Sequence, residues 1–180
     1  MRAVSKKTSR REYNIQQKLY KLIPKYVPKP LSYTKGVMKS KKCGTSLKKW
    51  LKSHPRVTDC ILMQIIRNVR LILSKIRRKY PGFRHMDLHI DNVLMNNGRV
   101  MIVDFGMSKF KTTKDMCYDF HLFLNSMRNF LLKRGRRVKY LNKVLPEGFR
   151  GSHGKYVSNF RMKSSESAAS IAKRLMGLRA

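Results

Sequence analysis

Apolar positions near the start of the chain recur every three to four residues and then give way to short β-rich runs. Ile15, Leu19 and Leu22 follow one another at helical spacing. Ahead of them Ser9-Arg10-Arg11-Glu12 fits a capping box, the serine covering a free backbone N–H and the glutamate reaching back. This pattern predicts a helix from about Arg10 to Ile23. Pro24, Pro28 and Pro30 end it and hold the chain extended, after which Leu31 to Thr34 and Gly36 to Lys39 read as two short strands. Gly44-Thr45-Ser46 then caps a short helix, Ser46 to Ser53, which His54-Pro55 stops.

Thr58 begins the longest periodic run. Ile61, Ile65, Val69, Ile72 and Ile76 form one stripe with Leu62, Ile66 and Leu73 beside it, so the helix they predict is buried. Arg77, Arg78 and Lys79 suit the negative end of its dipole, and Pro81-Gly82 stops it. Two β-rich runs, Val93-Leu94-Met95 and Val100 to Val103, flank Asn96-Asn97-Gly98, a strong short-range hairpin signal. Asp115 to about Lys133 reads as another helix with Phe120, Phe123, Leu124, Met127 and Leu131 on its apolar side. Beyond it, Val138 to Leu145 reads as helical, Pro146 to Gly154 as a loop and Ser165 to Leu178 as an Ala-rich helix. The elements together predict an α+β fold, mainly helical.

Composition adds two constraints. With 42% apolar and 9% aromatic residues among 180, the chain has the material for a core. Lys and Arg total 42 against 9 Asp and Glu, a formal net charge of +33, which is more than solubility asks for and points to an anionic partner. The cations are spread along the chain and interleaved with apolar residues, so fold and charge coexist. No base-reading motif accompanies them, and the expectation is phosphate contacts of low sequence preference whose strength falls steeply with salt. No apolar stretch approaches bilayer length and no signal-peptide core opens the chain, so secretion and membrane insertion are not expected. Cys43, Cys60 and Cys117 are widely spaced and form no CxxC pair. They read as free thiols of a reducing compartment, most simply as core residues.

Candidate chemistry gathers around the hairpin. Residues before its first strand and after its second emerge at the same edge, so Asp87, Asn92 and Asp104 are expected to converge although 17 positions separate the outer two. An amide and a carboxylate oxygen are hard ligands suited to Mg²⁺, leaving a second carboxylate free to accept a proton.

At these residues the chain resembles the protein-kinase superfamily. The catalytic-loop pattern H-x-D-L-x-x-x-N appears as His85-Met86-Asp87-Leu88-His89-Ile90-Asp91-Asn92, and D-F-G as Asp104-Phe105-Gly106, with matching spacing. The resemblance implies that Asp87 orients or deprotonates an acceptor hydroxyl, while Asn92 and Asp104 hold Mg²⁺ on ATP. It also implies that His85 is a buttress and that Asp119 holds the catalytic loop. Gly36-Val37-Met38 followed by Lys39 to Gly44 looks like a hinge for adenine, which makes Met38 and Lys39 cofactor-binding candidates. Glu12 resembles the C-helix glutamate that pairs with the phosphate-binding lysine, and the capping box is its other reading. Lys6 or Lys7 would stand in for that lysine, with a basic N-terminal arm as the alternative. In these terms residues 1–44 form a remnant small lobe of one helix and two strands, and 45–180 a kinase-like C-lobe with a basic extension.

Departures from the family pattern shape the expected function. Met86 stands where many kinases carry arginine, only eight residues separate Gly106 from Asp115, and no A-P-E follows, so control by activation-loop phosphorylation is not expected. Eleven residues precede Glu12, too few for the strands and Gly-rich loop that cover phosphates. The D-L-H-x-x-N form is similar to aminoglycoside-phosphotransferase-like and other atypical kinases, which opens a small-molecule acceptor as one reading. The leading expectation is ATP- and Mg²⁺-dependent transfer to a Ser/Thr hydroxyl of an acidic or neutral protein, inside the cell. The alternative is a kinase-derived basic protein of low or no activity that binds nucleic acid or an acidic assembly, similar to small proteins of large DNA viruses and packaged with the particle.

Overall fold

The computed structural model describes residues 3–112, 117–136 and 141. Among these the chain is a mixed α+β fold of four helices and two small antiparallel sheets. The expected segments Val138 to Leu145, Pro146 to Gly154 and Ser165 to Leu178 lie outside the described residues, Leu141 excepted.

Strand β1 (Ala3–Lys7) leads into α1 (Arg10–Leu22), and strands β2 (Pro30–Thr34) and β3 (Val37–Lys41) follow as a hairpin. The first sheet has the order β1-β3-β2. β1 therefore adds a third strand to the one helix and two strands expected, and it replaces the basic arm that Lys6 and Lys7 suggested. Periodicity could not reveal it, since all five of its residues are exposed and only pairing defines the strand. The register sets Lys6 opposite Met38 and Ser5 opposite Lys39. Met38 and Ser40 are buried on the face toward α1, where Gln16 Nε2 donates to Ser40 Oγ and Tyr13 packs on Tyr33, while Lys39 and Lys41 are exposed on the other face.

Ser9 caps α1 by accepting from the backbone N–H of Glu12 at 3.1 Å. The Glu12 carboxylate does not complete the box; it turns to Lys6 and Thr8. The serine half of the box is therefore present and the glutamate half is not, because the carboxylate is engaged by the Lys6 ammonium and the Thr8 hydroxyl.

From β3 the chain passes through residues 42–44 to β4 (Thr45–Ser46) and α2 (Leu47–Ser53). Gly44 has a φ of +59° and passes so close to β5 that an added Cβ would lie 2.0 Å from the Met95 carbonyl oxygen. Ser46 caps α2 through the amide of Lys49, and Thr58 caps α3 (Asp59–Lys79) through that of Ile61. α3 buries Leu62, Ile65, Ile66, Val69, Ile72, Leu73 and Ile76, each contributing about 1.5–3 kcal/mol by leaving water. Ile61, expected in that stripe, falls at its edge in the first turn and is 45% exposed.

β5 (Val93–Asn96) and β6 (Arg99–Ile102) pair around Asn97 and Gly98, both at positive φ as a two-residue turn of this kind requires. With β4 they form the second sheet, in the order β4-β5-β6. Helix α4 (Tyr118–Leu132) is shorter than expected at its start, and Asp115 lies outside the described residues. Its side chains Phe123, Leu124 and Met127 close the core beneath Phe83, Leu88 and Phe105. The cysteines are free, as expected, but are not core: Cys60 is exposed and the other two half-buried. No described helix is long and apolar enough to cross a membrane.

Candidate functional site

Phe83 to Asn92 runs without regular structure from the end of α3 to β5, and it is held from below by Asp119. That carboxylate, fully buried at the start of α4, accepts from the amides of His85 and Met86, both at 2.9 Å, and from Arg77 Nη2 at 3.3 Å. Burial lowers the pKa of the Arg77 guanidinium, against the pull of Asp119. The two amides explain how Met86 is kept at a φ of +70°, a conformation that costs about 1–2 kcal/mol for a residue with a side chain. His85 is completely buried. Its Nε2 lies 2.9 Å from the Val103 carbonyl and so carries the proton, leaving Nδ1 with no partner. Burial pushes the His85 pKa below its ordinary value, outweighing the nearby negative charge of Asp119.

Above this support the expected residues assemble. Asn92 donates through Nδ2 to the Asp87 backbone carbonyl at 2.9 Å and to Asp87 Oδ2 at 3.3 Å, and lies 3.2 Å from His89 Nε2. All of these bonds use Nδ2, so the Asn92 amide oxygen is left available as a ligand. Asp87 is about half exposed, with His89 Nε2 3.5 Å from its Oδ2. Asp104 joins them through the backbone, since the amide of Val103 donates to the Asn92 carbonyl at 3.0 Å. Asp104 itself has a φ of +66°, a second bent position beside that of Met86 among the residues with side chains.

Lys6 closes the site from the first sheet. Its ammonium lies 2.9 Å from Glu12 Oε1 and 2.8 Å from Asp104 Oδ1. Burial alone would lower its pKa, but hydrogen bonds and charge from Asp104 and Glu12 outweigh that and hold it above the ordinary lysine value. Two acceptors leave a third N–H for an anion. Gly106 lies against this group, and a Cβ there would come within 3.2 Å of Glu12 Oε2.

The other two candidates divide. Met38 lies directly across from Lys6 on β3, buried on the same face, whereas Lys39 stands on the opposite face, away from Glu12 and Lys6. Both are within a strand, so the linker between the sheets is narrower than the expected hinge. Three contributors had no signal in periodicity or motif. Arg11 donates from Nη1 to the Gly106 carbonyl at 3.1 Å and from Nη2 to that of Ser108, Thr8 donates to Glu12 Oε2, and Ser108 Oγ donates to the His85 carbonyl. Thr8 and Arg11 stand either side of the helix start capped by Ser9, and that adjacency is their one signal in the sequence.

The donor set fits a hard divalent cation held by few protein ligands. Among the described residues no group of three or more His, Cys, Asp or Glu could enclose a metal. Asn92 and Asp104 offer one amide and one carboxylate oxygen, the kind of partial set that Mg²⁺ completes with water and substrate phosphate. A scan against protein-family models matches none of them, and a search of curated proteins finds no match.

Proposed function

We propose that this chain is an atypical kinase-like phosphotransferase that moves the terminal phosphoryl group of ATP to a Ser/Thr hydroxyl. The observation that carries the reading is the position of Lys6, held between Glu12 of α1 and Asp104. In protein kinases a strand lysine paired with a helix glutamate, and an aspartate on the metal, must both be in place for transfer. Here β1 and α1 supply the first pair and Asp104 the second. The order β1-α1-β2-β3 is consistent with a reduced small lobe, and α2 through α4 with a C-lobe. Mg²⁺·ATP, when bound, would supply the transferable group and the charge that balances it.

The chain's own residues divide the remaining work. Asn92 and Asp104 hold the metal through oxygen, Lys6 directs an N–H to phosphate, and Met38 walls the site beside Lys6. Asp87, fixed through Asn92 and half exposed, accepts or orients the hydroxyl proton of the acceptor. Electrostatic positioning of this kind accounts for most of phosphoryl-transfer catalysis.

The test is transfer of labelled γ-phosphate to a generic acidic protein such as dephosphorylated casein, with Asp87→Asn as the control. Incorporation that falls at least a hundredfold in Asp87→Asn supports the reading. Incorporation unchanged by the substitution contradicts it.

A further inference from the structure

We propose that the face of the first sheet turned away from α1 binds the phosphate backbone of nucleic acid. The face follows from the register. Ser5, Lys39 and Ser32 form one row across the three strands, Lys7, Val37 and Thr34 the next, and Ala3 with Lys41 the row beyond Ser5. Apart from Val37, which is half-buried, all of these residues are exposed. Lys39 and Lys41 are two positions apart on one strand, about 6.5–7 Å, and Lys7 stands on the neighbouring strand.

Three lysines on so small a surface repel one another, and nothing in the described chain relieves them. Each of the six described acidic residues already faces a cation or imidazole elsewhere: Glu12 and Asp104 face Lys6, Asp59 faces Arg136, Asp87 His89, Asp91 Lys48 and Asp119 Arg77. Residues 1–58 contain 17 Lys and Arg and one acid, the buried Glu12. The sheet face is therefore a fixed, uncompensated positive surface whose neutralising anion comes from outside the described chain.

The chemistry of the face selects the kind of anion. Lysine ammonium groups interleaved with serine and threonine hydroxyls are the side chains that contact phosphate and sugar. The face carries no aromatic residue, since Tyr33 points to α1 beneath Arg10, so bases have nothing to stack on. Apart from half-buried Val37 and the small Ala3, its rows hold no apolar residue that would grip side chains of an acidic peptide. Binding through phosphates alone follows, tolerant of sequence and sensitive to salt. This inference is independent of phosphoryl transfer, because the face lies opposite the one that carries Lys6.

The experiment measures binding of the full chain to a fluorescent random-sequence single-stranded DNA by anisotropy across a salt series. Two triple variants of equal charge are compared, Lys7→Ser/Lys39→Ser/Lys41→Ser on the sheet and Lys49→Ser/Lys52→Ser/Arg56→Ser on and after α2. The sheet triple should bind at least about tenfold more weakly at 0.1 M salt and lower the salt slope by about 2, from about 0.7 per lost phosphate contact on single strands. The α2 triple should retain wild-type slope. Lys39→Gln alone, the mildest change at the centre of the face, should lower the slope by about 0.7 even if the triple does not fold. Equal losses in the two triples would overturn the assignment to this face, and competition by polyglutamate as effective as by DNA would overturn nucleic acid as its ligand.

Discussion

Lys6 and Asp104 form an ion pair of 2.8 Å that joins the first strand of one sheet to the segment leaving the last strand of the other. The same ammonium holds Glu12 of α1, so a single side chain ties the first sheet and its helix to the segment that carries Asp104.

Asp119 is the support beneath it. Asp119→Ala would strand the buried amide of His85 and the part-buried amide of Met86, and leave Arg77 half-buried without its carboxylate. Breaking a buried pair in this way costs about 3–5 kcal/mol. Chemical denaturation should show that loss, with Asp119→Asn losing nearly as much because its NH₂ would face an amide donor.

His85 makes stability depend on pH. Burial keeps its folded pKa below the ordinary 6.5, so the unfolded chain binds a proton first as pH falls through that value. Stability therefore declines from about pH 6.5 downward until the folded imidazole also titrates, with a slope of up to about 1.4 kcal/mol per pH unit. Denaturation midpoints at pH 7.5, 6.5 and 5.5 should trace this decline in the wild type and a flatter one in His85→Gln. Parallel curves would remove His85 as the cause.

Gly44 and Gly36 both have positive φ but differ in surroundings. Nothing lies within 4 Å of a Cβ added at Gly36, whereas one at Gly44 would meet the Met95 backbone. Gly36→Ala should cost about 1–2 kcal/mol from conformation alone. Gly44→Ala should cost at least about 2 kcal/mol more, since β5 must shift, and thermal melts of the two variants compare them directly.

Arg11 latches the segment after Asp104 to α1 through the carbonyls of Gly106 and Ser108. Arg11→Ala should raise amide exchange roughly tenfold at Ser108 and Lys109, whose N–H groups bond to Phe105 and Arg84, and should weaken Mg²⁺·ATP binding severalfold. Arg11→Lys should rescue only part of this, because an ammonium lacks the fork that reaches two carbonyls. Unchanged exchange in Arg11→Ala would show that the latch does not hold the segment.

Much of this architecture was legible because its signals are local. Ser9, Ser46 and Thr58 announce helix starts through side chains that bond three residues ahead, and Asn97-Gly98 announces the hairpin through its tolerance of positive φ. The bond from the Val103 amide to the Asn92 carbonyl, which brings the start of the Asp104 segment beside the loop of Asp87, follows from the pairing of that hairpin. What escaped depends on distant partners. β1 exists through its pairing with β3, Arg11 acts on carbonyls far along the chain, and Arg77, read as a cation suited to a helix end, is half-buried against Asp119. The place of Lys39 directly after Met38 suggests a shared site, and strand alternation turns it to the other face.

The most direct test of the site is calorimetric titration of Mg²⁺·ATP into wild type, Lys6→Ala and Asp104→Ala, at salt high enough to suppress general attraction to the cationic surface. The expected result is saturable binding to the wild type that requires Mg²⁺ and weakens at least tenfold in both variants. Binding of equal strength in all three proteins, or none in the wild type, would contradict the assignment of Lys6 and Asp104 to a nucleotide site.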